Sequence, residues 1–196
     1  VEEASSCKGF DREGMWKHSL GTAVASKLIQ ERIPGNQSSN LFVAGLLCNI
    51  GRLVLDQHFP NEFAQILKLS QEGVRLIDAE RRVMNITHAD VGAWVSQAWC
   101  LDERLSQCIR DHHGPSGNRN AAIVNLAYVL TQVKGIGSPG ESILTPLIPG
   151  VVESLKLDEL AMARLLIDLD KEYQTIEPMF SIMIDKKSPS KEACHA

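Results

Sequence analysis

Six histidines occur among the 196 residues of this chain, and four of them lie within or at the ends of predicted helices. His18 lies inside the first predicted helix, His88 begins another, and the pair His112 and His113 ends a third. Imidazole nitrogens bind transition metals and exchange protons near neutral pH. If these side chains meet in the fold, their ring nitrogens would provide several ligands for one transition metal.

The segment from Ala44 to Leu53 is the most informative part of the sequence. An apolar helical run meets Gly51, with Cys48 and Asn49 shortly before it. The segment resembles the signature of the HD superfamily of metal-dependent phosphohydrolases, which reads Ala-Gly-Leu-Leu-His-Asp-Ile-Gly-Lys. Cys48 and Asn49 stand where that superfamily has the His-Asp doublet that holds its metal. Arg52 stands where it has lysine and keeps the charge.

The same resemblance identifies the other site positions. The superfamily binds its metal with a histidine of one helix, the doublet of the next and an aspartate of a later helix. Many members add histidines that hold a second metal or the phosphate. His18 falls on the first histidine, and Tyr128 falls on the last aspartate, because Asn125-Leu126-Ala127-Tyr128 occupies its place. The added histidines fall on His88, His112 and His113.

Of the four primary ligand positions, only His18 keeps a ligand. A carboxylate supplies negative charge as well as a lone pair, and neither the Asn49 amide nor Tyr128 replaces it. The resemblance therefore implies a degenerate site with no catalytic residue, no resident metal and no cofactor, so the chain is predicted not to be an enzyme. The remaining imidazoles, with Arg52, form a vestigial pocket.

Other interpretations of these residues remain open. The imidazoles would be satisfied as polar groups if they form hydrogen bonds to one another, to water, to Asn49 or to Tyr128. They would also bind a transition metal opportunistically. Cys48, beside histidines, would act as a nucleophile only if the pKa of its thiol is lowered. A cysteine inside an apolar helix is more often an inert buried side chain.

The elements that position these residues are predicted to be helices throughout. Apolar residues recur at three-to-four spacing in every long segment, and no alternating strand pattern is evident, which predicts an all-α, HD-like bundle. The segment from Phe42 to Leu55 is apolar nearly all round and is predicted to be one buried central helix. Asp11, Thr87 and Asp102 are predicted to cap helices. Another long helix is expected between about residues 157 and 176.

Several motifs together resemble the HDOD branch, the HD-related output domain of bacterial signalling proteins. They are Trp16-Lys17-His18-Ser19, the run from Phe42 to Leu55, the segment from Thr87 to Ala93 that leads to His112-His113, and the Ala-rich helix from Ala121. HDOD domains usually carry a further helical half before the first of these. Residues 1–184 are therefore expected to be the C-terminal part of a longer HDOD region, followed by a flexible tail over residues 185–196. By analogy, a receiver or other sensory domain is expected upstream.

Composition narrows the choice of partners and compartment. The net charge is −4 and no basic stripe is visible, which argues against a nucleic-acid partner. Charges interrupt the longest apolar runs, so no membrane span is expected. Five cysteines without a CxxC pair suit a reducing cytoplasm. The three tryptophans are expected to pack in the core.

The leading functional hypothesis is a non-catalytic, regulatory signal-transduction module that acts through a protein partner. Two alternatives remain. One is a phosphohydrolase acting on a nucleotide or cyclic dinucleotide, which would need the metal that the substitutions remove. The other is a sensor that binds a nucleotide in the vestigial pocket without turnover, with phosphate contacts from Arg52, His112 and His113.

Overall fold

The chain folds into a bundle of α-helices in a computed structural model that describes residues 7, 9–33, 40–114 and 117–185. Those residues contain no β-strand, so the prediction of an all-α protein is confirmed. The helices are α1 (Arg12–Arg32), α2 (Leu41–Leu47), α3 (Ile50–His58), α4 (Pro60–Gln71), α5 (Leu76–Met84), α6 (His88–Ala98), α7 (Glu103–Asp111), α8 (Arg119–Val133), α9 (Val151–Ser154) and α10 (Glu159–Asp185).

The predicted helix starts are confirmed where a polar side chain satisfies the first backbone N–H groups. The Asp11 carboxylate accepts from the Gly14 N–H, and the Asp102 carboxylate accepts from the Arg104 N–H. Thr87 forms a reciprocal capping box at the start of α6. This box fixes the orientation of His88, the first residue of that helix.

The segment from Phe42 to Leu55 is not one helix, contrary to the prediction. It breaks at Cys48 and Asn49 into α2 and α3. A Cβ added at Gly45 would lie 2.7 Å from the Thr22 carbonyl oxygen of α1. A Cβ added at Gly51 would collide with the backbone of α6. The α2 helix therefore packs closely against α1, and α3 packs closely against α6. A single straight helix would not contact both α1 and α6 in this way.

The most buried helices are α1 and α8 rather than the segment around the doublet. Residues 18–26 of α1 and 123–131 of α8 are all buried. By contrast, the apolar side chains of Phe42, Leu46 and Leu53 are half-buried. The centre of the bundle is thus formed by the two helices that supply His18 and Tyr128.

Two apolar clusters flank the polar site. The larger one joins α1, α2, α8 and α10 around residues such as Ile29 and Val124. The smaller one joins α3, α4 and α5 around Leu55, Phe63 and Leu76. Because both clusters are closely packed, they hold α3 and α8 firmly on either side of the site.

The last long helix is longer than predicted. It runs from Glu159 to Asp185 instead of ending near residue 176. Of the tail expected over residues 185–196, only Asp185 is among the described residues. Among the helices of the described residues, none is long and apolar enough to cross a membrane.

The prediction that all three tryptophans pack in the core is wrong for two of them. Trp94 is 51% exposed and Trp99 is 56% exposed. The α6 helix turns the face with His88, Gly92 and Ser96 inward, so Trp94 falls on the opposite side. Trp16 is half-buried beside Phe180.

Candidate functional site

His88 and Glu80 form a buried hydrogen-bonded pair at the start of α6. The His88 Nδ1 lies 2.7 Å from Glu80 Oε2, and the His88 backbone N–H donates to the same oxygen over 2.8 Å. Burial lowers the pKa of His88 well below its usual value and raises the pKa of Glu80 to about 8. The distance suits an ion pair, but these pKa directions favour a neutral imidazole, so the contact is a hydrogen bond.

Arg52 of α3 is fully buried at the centre of the site. Its guanidinium donates to the Tyr128 hydroxyl over 3.1 Å, to the Pro139 carbonyl, and to Glu141 Oε1 over 2.9 Å. One of its nitrogens also lies 3.4 Å from His88 Nε2. A buried charge is tolerated only with such partners. Burial would lower the pKa of Arg52, but Tyr128 and Glu141 raise it above its usual value, so the cation persists.

Glu141 belongs to the segment between α8 and α9 and is the counter-ion of Arg52. Burial would raise the pKa of the Glu141 carboxyl, but the charge of Arg52 outweighs burial and leaves that pKa below its usual value. The Thr145 hydroxyl donates to Glu141 over 2.5 Å, and the Gln132 amide donates over 3.3 Å. The carboxylate is therefore charged and fixed in place.

Three imidazoles cluster beside this ion pair. The ring centroids of His112 and His113 lie 4.0 Å apart, and those of His88 lie 5.5 and 5.1 Å from them. One ring nitrogen of each lies within 4.8 Å of the other two. His112 Nδ1 lies 2.6 Å from the Ile109 carbonyl oxygen, so it carries the proton. His112 Nε2 is therefore a lone pair without a protein partner among the described residues.

Tyr128 of α8 connects the imidazole cluster to His18. Its ring centroid lies 4.5 Å from that of His18 and 5.3 Å from that of His113. Burial lowers the pKa of His18 to about 3, and burial also lowers the pKa values of His112 and His113 well below the usual value. The structure thus brings together histidines that lie far apart in the sequence, and all four are neutral at pH 7.

Cys48 and Asn49 occupy the break between α2 and α3. The Cys48 thiol donates to the Gly45 carbonyl of its own helix over 3.1 Å, and burial raises its pKa to about 12. This thiol is not a nucleophile at neutral pH. Both side-chain polar atoms of Asn49 are buried and have no protein partner within the part of the chain that the structure describes. Buried polar groups normally have hydrogen-bond partners, so the Asn49 amide keeps unused donor and acceptor capacity among these residues.

The site is a closed interior and not an open cleft. The pocket that reaches His113 and Glu141 has a volume of about 20 Å³, which is room for about one water molecule. The segment from Pro139 to Pro146 covers it and contributes Glu141 and Thr145. A pocket of this size is too small for a nucleotide.

A family comparison decides which fold this is. The model of the HDOD domain matches residues 1–115. The chain belongs to the HDOD domain family. The HDOD resemblance inferred from the sequence motifs is thereby confirmed.

Solved structures and one curated protein are similar to this chain. An HDOD domain protein of unknown function from Geobacter sulfurreducens is 25% identical with a TM-score of 0.70, and the alignment covers 87% of this chain and 63% of that one. The MmoQ response regulator from Methylococcus capsulatus (strain Bath) has a TM-score of 0.61 at 23% identity, covering 82% and 62%. An uncharacterized protein of Treponema pallidum (strain Nichols) is 27% identical over 114 residues, which are 53% of this chain and 20% of that protein. The chain therefore spans less than two thirds of each of these relatives.

The resemblance places four residues of this HDOD chain at the superfamily's primary metal, and their chemistry does not fit that ion. At the positions of the two carboxylates stand an amide, Asn49, and a phenol, Tyr128, whose pKa burial raises well above its usual value. At the doublet histidine stands Cys48, whose thiol points back to its own helix. The remaining ligand, His18, turns Nδ1 to the Ile136 carbonyl over 3.3 Å. No reaction step through that metal follows from these residues.

Sequence reasoning missed Glu80 and Glu141, the two acids of the HDOD site. The sequence contains a sign that Glu80 is buried, because Glu80 lies on the face of α5 that also carries Leu76, Ile77 and Ala79. An acid on a buried helical face calls for a buried partner. Glu141 lies among the glycines, prolines and serines of the 135–150 segment, where no periodicity marks an inward position.

Proposed function

We propose that this HDOD chain is a non-catalytic output module of a bacterial signalling protein, which works in the cytoplasm through contact with a protein partner. A receiver or other sensory domain in the whole protein would supply the signal. The observation that supports this proposal best is the buried Arg52–Glu141 ion pair. It fills the site with a protein cation and its counter-ion, where a hydrolase would need a metal, a bound water and access for substrate.

The comparisons are consistent with a signalling role. One structural neighbour is described as a response regulator, a class in which a receiver controls an output region. The described residues show no basic stripe or membrane-spanning helix that would point to nucleic acid or a membrane. A protein partner is therefore the class of target that we propose.

Hydrolysis is the most direct alternative, and an activity assay tests it. Protein purified without a His tag is incubated with bis(p-nitrophenyl) phosphate and with a cyclic dinucleotide, in Mn²⁺ or Fe²⁺. We expect no turnover above that of buffer with metal. Chelator-sensitive turnover by the unaltered chain would overturn the proposal and favour the enzyme.

Restoring the family ligands provides the positive comparison. The triple change Cys48→His, Asn49→Asp and Tyr128→Asp adds two carboxylates, which offset the charge of Arg52. Ligands act as a unit, so Mn²⁺ binding should improve more in the triple variant than the three single changes sum to. Circular dichroism checks that the variant folds, because Asp at position 128 leaves a cavity where the tyrosine ring was. A triple variant that folds but binds Mn²⁺ no better than the single variants would contradict our assignment of the ligand positions.

The nucleotide-sensor alternative requires the segment from Pro139 to Pro146 to open. A ligand that binds only the folded state raises the melting temperature. We expect a panel of mononucleotides and cyclic dinucleotides to leave it unchanged. A saturable shift that is lost in Arg52→Met would favour the sensor.

A further inference from the structure

The residues just before α1 are seated in the fold although they form no helix. We call residues 7–11 the entry segment, of which the structure describes Cys7 and residues 9–11. Cys7 is buried in the smaller apolar cluster, and the Phe10 ring meets the Phe63 ring edge-on with the centroids 5.0 Å apart. The entry segment is therefore held by apolar contacts with α4 and its neighbours.

The entry segment makes its first polar contact with Asp56 of α3. The Asp56 side chain is fully buried, and its Oδ1 accepts from the Cys7 backbone N–H over 2.9 Å. Its Oδ2 accepts from the guanidinium of Arg12, the first residue of α1. A buried carboxylate is tolerated only with such partners. If the entry segment and Arg12 moved away, α3 would be left with an uncompensated charge.

Asp56 lies one helical turn after Arg52, so the two side chains share a face of α3. Both are fully buried. A shift of α3 that brings Asp56 to solvent would therefore also move the cation of the site. The entry segment is thus connected to one half of the Arg52–Glu141 ion pair.

A second contact connects the entry segment to the other half of that ion pair. We call the segment from Pro139 to Pro146 the cover. A Cβ added at Gly140 would lie 3.5 Å from the Phe10 ring, so the ring packs against the backbone of the cover next to Glu141. Glu141 in turn accepts from Arg52 over 2.9 Å. The entry segment therefore contacts both elements that the ion pair joins.

We propose that the entry segment is a regulatory strap that couples a signal arriving before α1 to the closed state of the site. In place, it holds α3 and the cover together. Withdrawn, it leaves Asp56 without its partners and removes the ring that packs on Gly140, so the cover opens and presents a changed surface to a partner. This inference rests on the proposed function, because an output module has to respond to the sensory region expected upstream.

Hydrogen exchange tests the coupling in the chain as it stands. Arg12→Met removes the cation from Asp56, and Phe10→Ala removes the ring that packs on the cover. The readout is exchange of the Ser142 and Thr145 amides, which donate to side chains of α4 and α8 when the cover is closed. We expect roughly 10-fold faster exchange in each variant, since local opening governs the exchange of such amides.

Arg32→Met is the matched control for Arg12→Met. It removes an ion pair, with Asp168, at the opposite end of α1, and it should leave exchange in the cover unchanged. Thermal melting checks that each variant is folded. If Phe10→Ala is not, Phe10→Leu replaces it, because leucine keeps an apolar side chain but loses the flat ring.

The coupling should also act in the opposite direction, because coupling between two sites is reciprocal. Thr145→Val removes the hydroxyl that donates to Glu141, so it loosens the cover without changing the entry segment. We expect the Cys7 thiol to be labelled several-fold faster by a thiol reagent in this variant. The exposed Cys100 is the internal reference. Thr175→Val, which removes a hydroxyl from the exposed side of α10, should not change Cys7 labelling.

Two results would overturn the inference. One is exchange in the cover that is no faster in the folded Arg12 and Phe10 variants than in Arg32→Met. The other is Cys7 labelling that Thr145→Val leaves at the wild-type rate. Either would refute the coupling while leaving the proposed function in place. Phosphodiester turnover by the unaltered chain would instead refute the proposed function, whatever the exchange rates.

Discussion

At the scale of single residues, Arg52 is the side chain on which the site depends. Its charge is buried, and its contacts come from three parts of the chain: Tyr128 from α8, His88 from α6, and Pro139 and Glu141 from the segment after α8. Sequence reasoning included Arg52 in the vestigial pocket and kept its charge. It did not predict the counter-ion, because no spacing relates a loop acid to a helix 89 residues earlier.

The Tyr128 hydroxyl tests the strength of this network. Tyr128→Phe keeps the ring volume but removes an acceptor from a buried charged donor, which typically costs about 1.5–3 kcal/mol. We expect a loss of that size in the free energy of unfolding, measured by urea denaturation. Tyr173→Phe, on the half-buried surface of α10, is the control and should change little. Equal losses in the two variants would show that the hydroxyl is not a significant partner of Arg52.

The buried histidines predict a stability that falls in mild acid. Burial lowers the pKa values of His18, His88, His112 and His113 in the folded state, so between about pH 3 and 6.5 the unfolded chain binds more protons. The contribution of these histidines to the free energy of unfolding should therefore be fully present above pH 6.5 and decrease below it. Glu80 opposes this change, because its raised pKa of about 8 lets the folded state hold one extra proton between about pH 4.5 and 8.

As the pH falls, proton binding by the four histidines favours the unfolded state, and proton binding by Glu80 favours the folded state. The net result is a loss of stability. We expect the free energy of unfolding to decrease by roughly 3 kcal/mol between pH 7.5 and 5.5. Urea denaturation at several pH values measures the slope. Constant stability across this range would mean that the imidazoles are already protonated or solvated in the folded protein.

At the scale of elements, two glycines determine how the doublet segment packs. The sequence predicted that this segment is helical and apolar nearly all round. It did not predict the break, because apolar residues on every side of the segment suit one long helix as well as two short ones. The break follows from the contacts of α2 with α1 and of α3 with α6, which are tertiary. Capping was easier to predict, since Thr87 and Asp102 act on backbone groups only a few residues away.

Gly51→Ala is predicted to be among the most damaging small changes. The added Cβ would collide with the His88 carbonyl and lie 2.8 Å from the Gly92 nitrogen. Both are backbone atoms of α6, so no side chain can move aside. We expect a loss of about 3 kcal/mol or more in stability, measured by urea denaturation. Gly114→Ala, where the nearest atom would be 3.8 Å away, should be close to neutral, and similar effects of the two changes would contradict the close contact of α3 with α6.

At the scale of the whole molecule, the helical class and the family could be predicted from periodicity and from motif order. The gathering of His18, His88, His112 and His113 could also be predicted, though only through the resemblance, because no helix carries more than two of them. The closed state of the site could not be predicted from the sequence. It depends on how the segment from Pro139 to Pro146 folds back over α8, and that segment has no periodic pattern. The site is thus a polar core in which Arg52 and Glu141 balance each other's charge.

We expect this core to hold neutral imidazoles around a protein cation and no metal. Imidazole nitrogen NMR measures this most directly, because ring nitrogen shifts distinguish the neutral tautomers, the imidazolium and the metal-bound ring. At pH 7, we predict four neutral rings, His18, His88, His112 and His113, whose signals are unchanged by a chelator and are not broadened by equimolar Mn²⁺. The exposed His58 serves as an internal reference for nonspecific binding. Selective broadening of the four buried rings by Mn²⁺, or a chelator-dependent change in their shifts, would contradict the account.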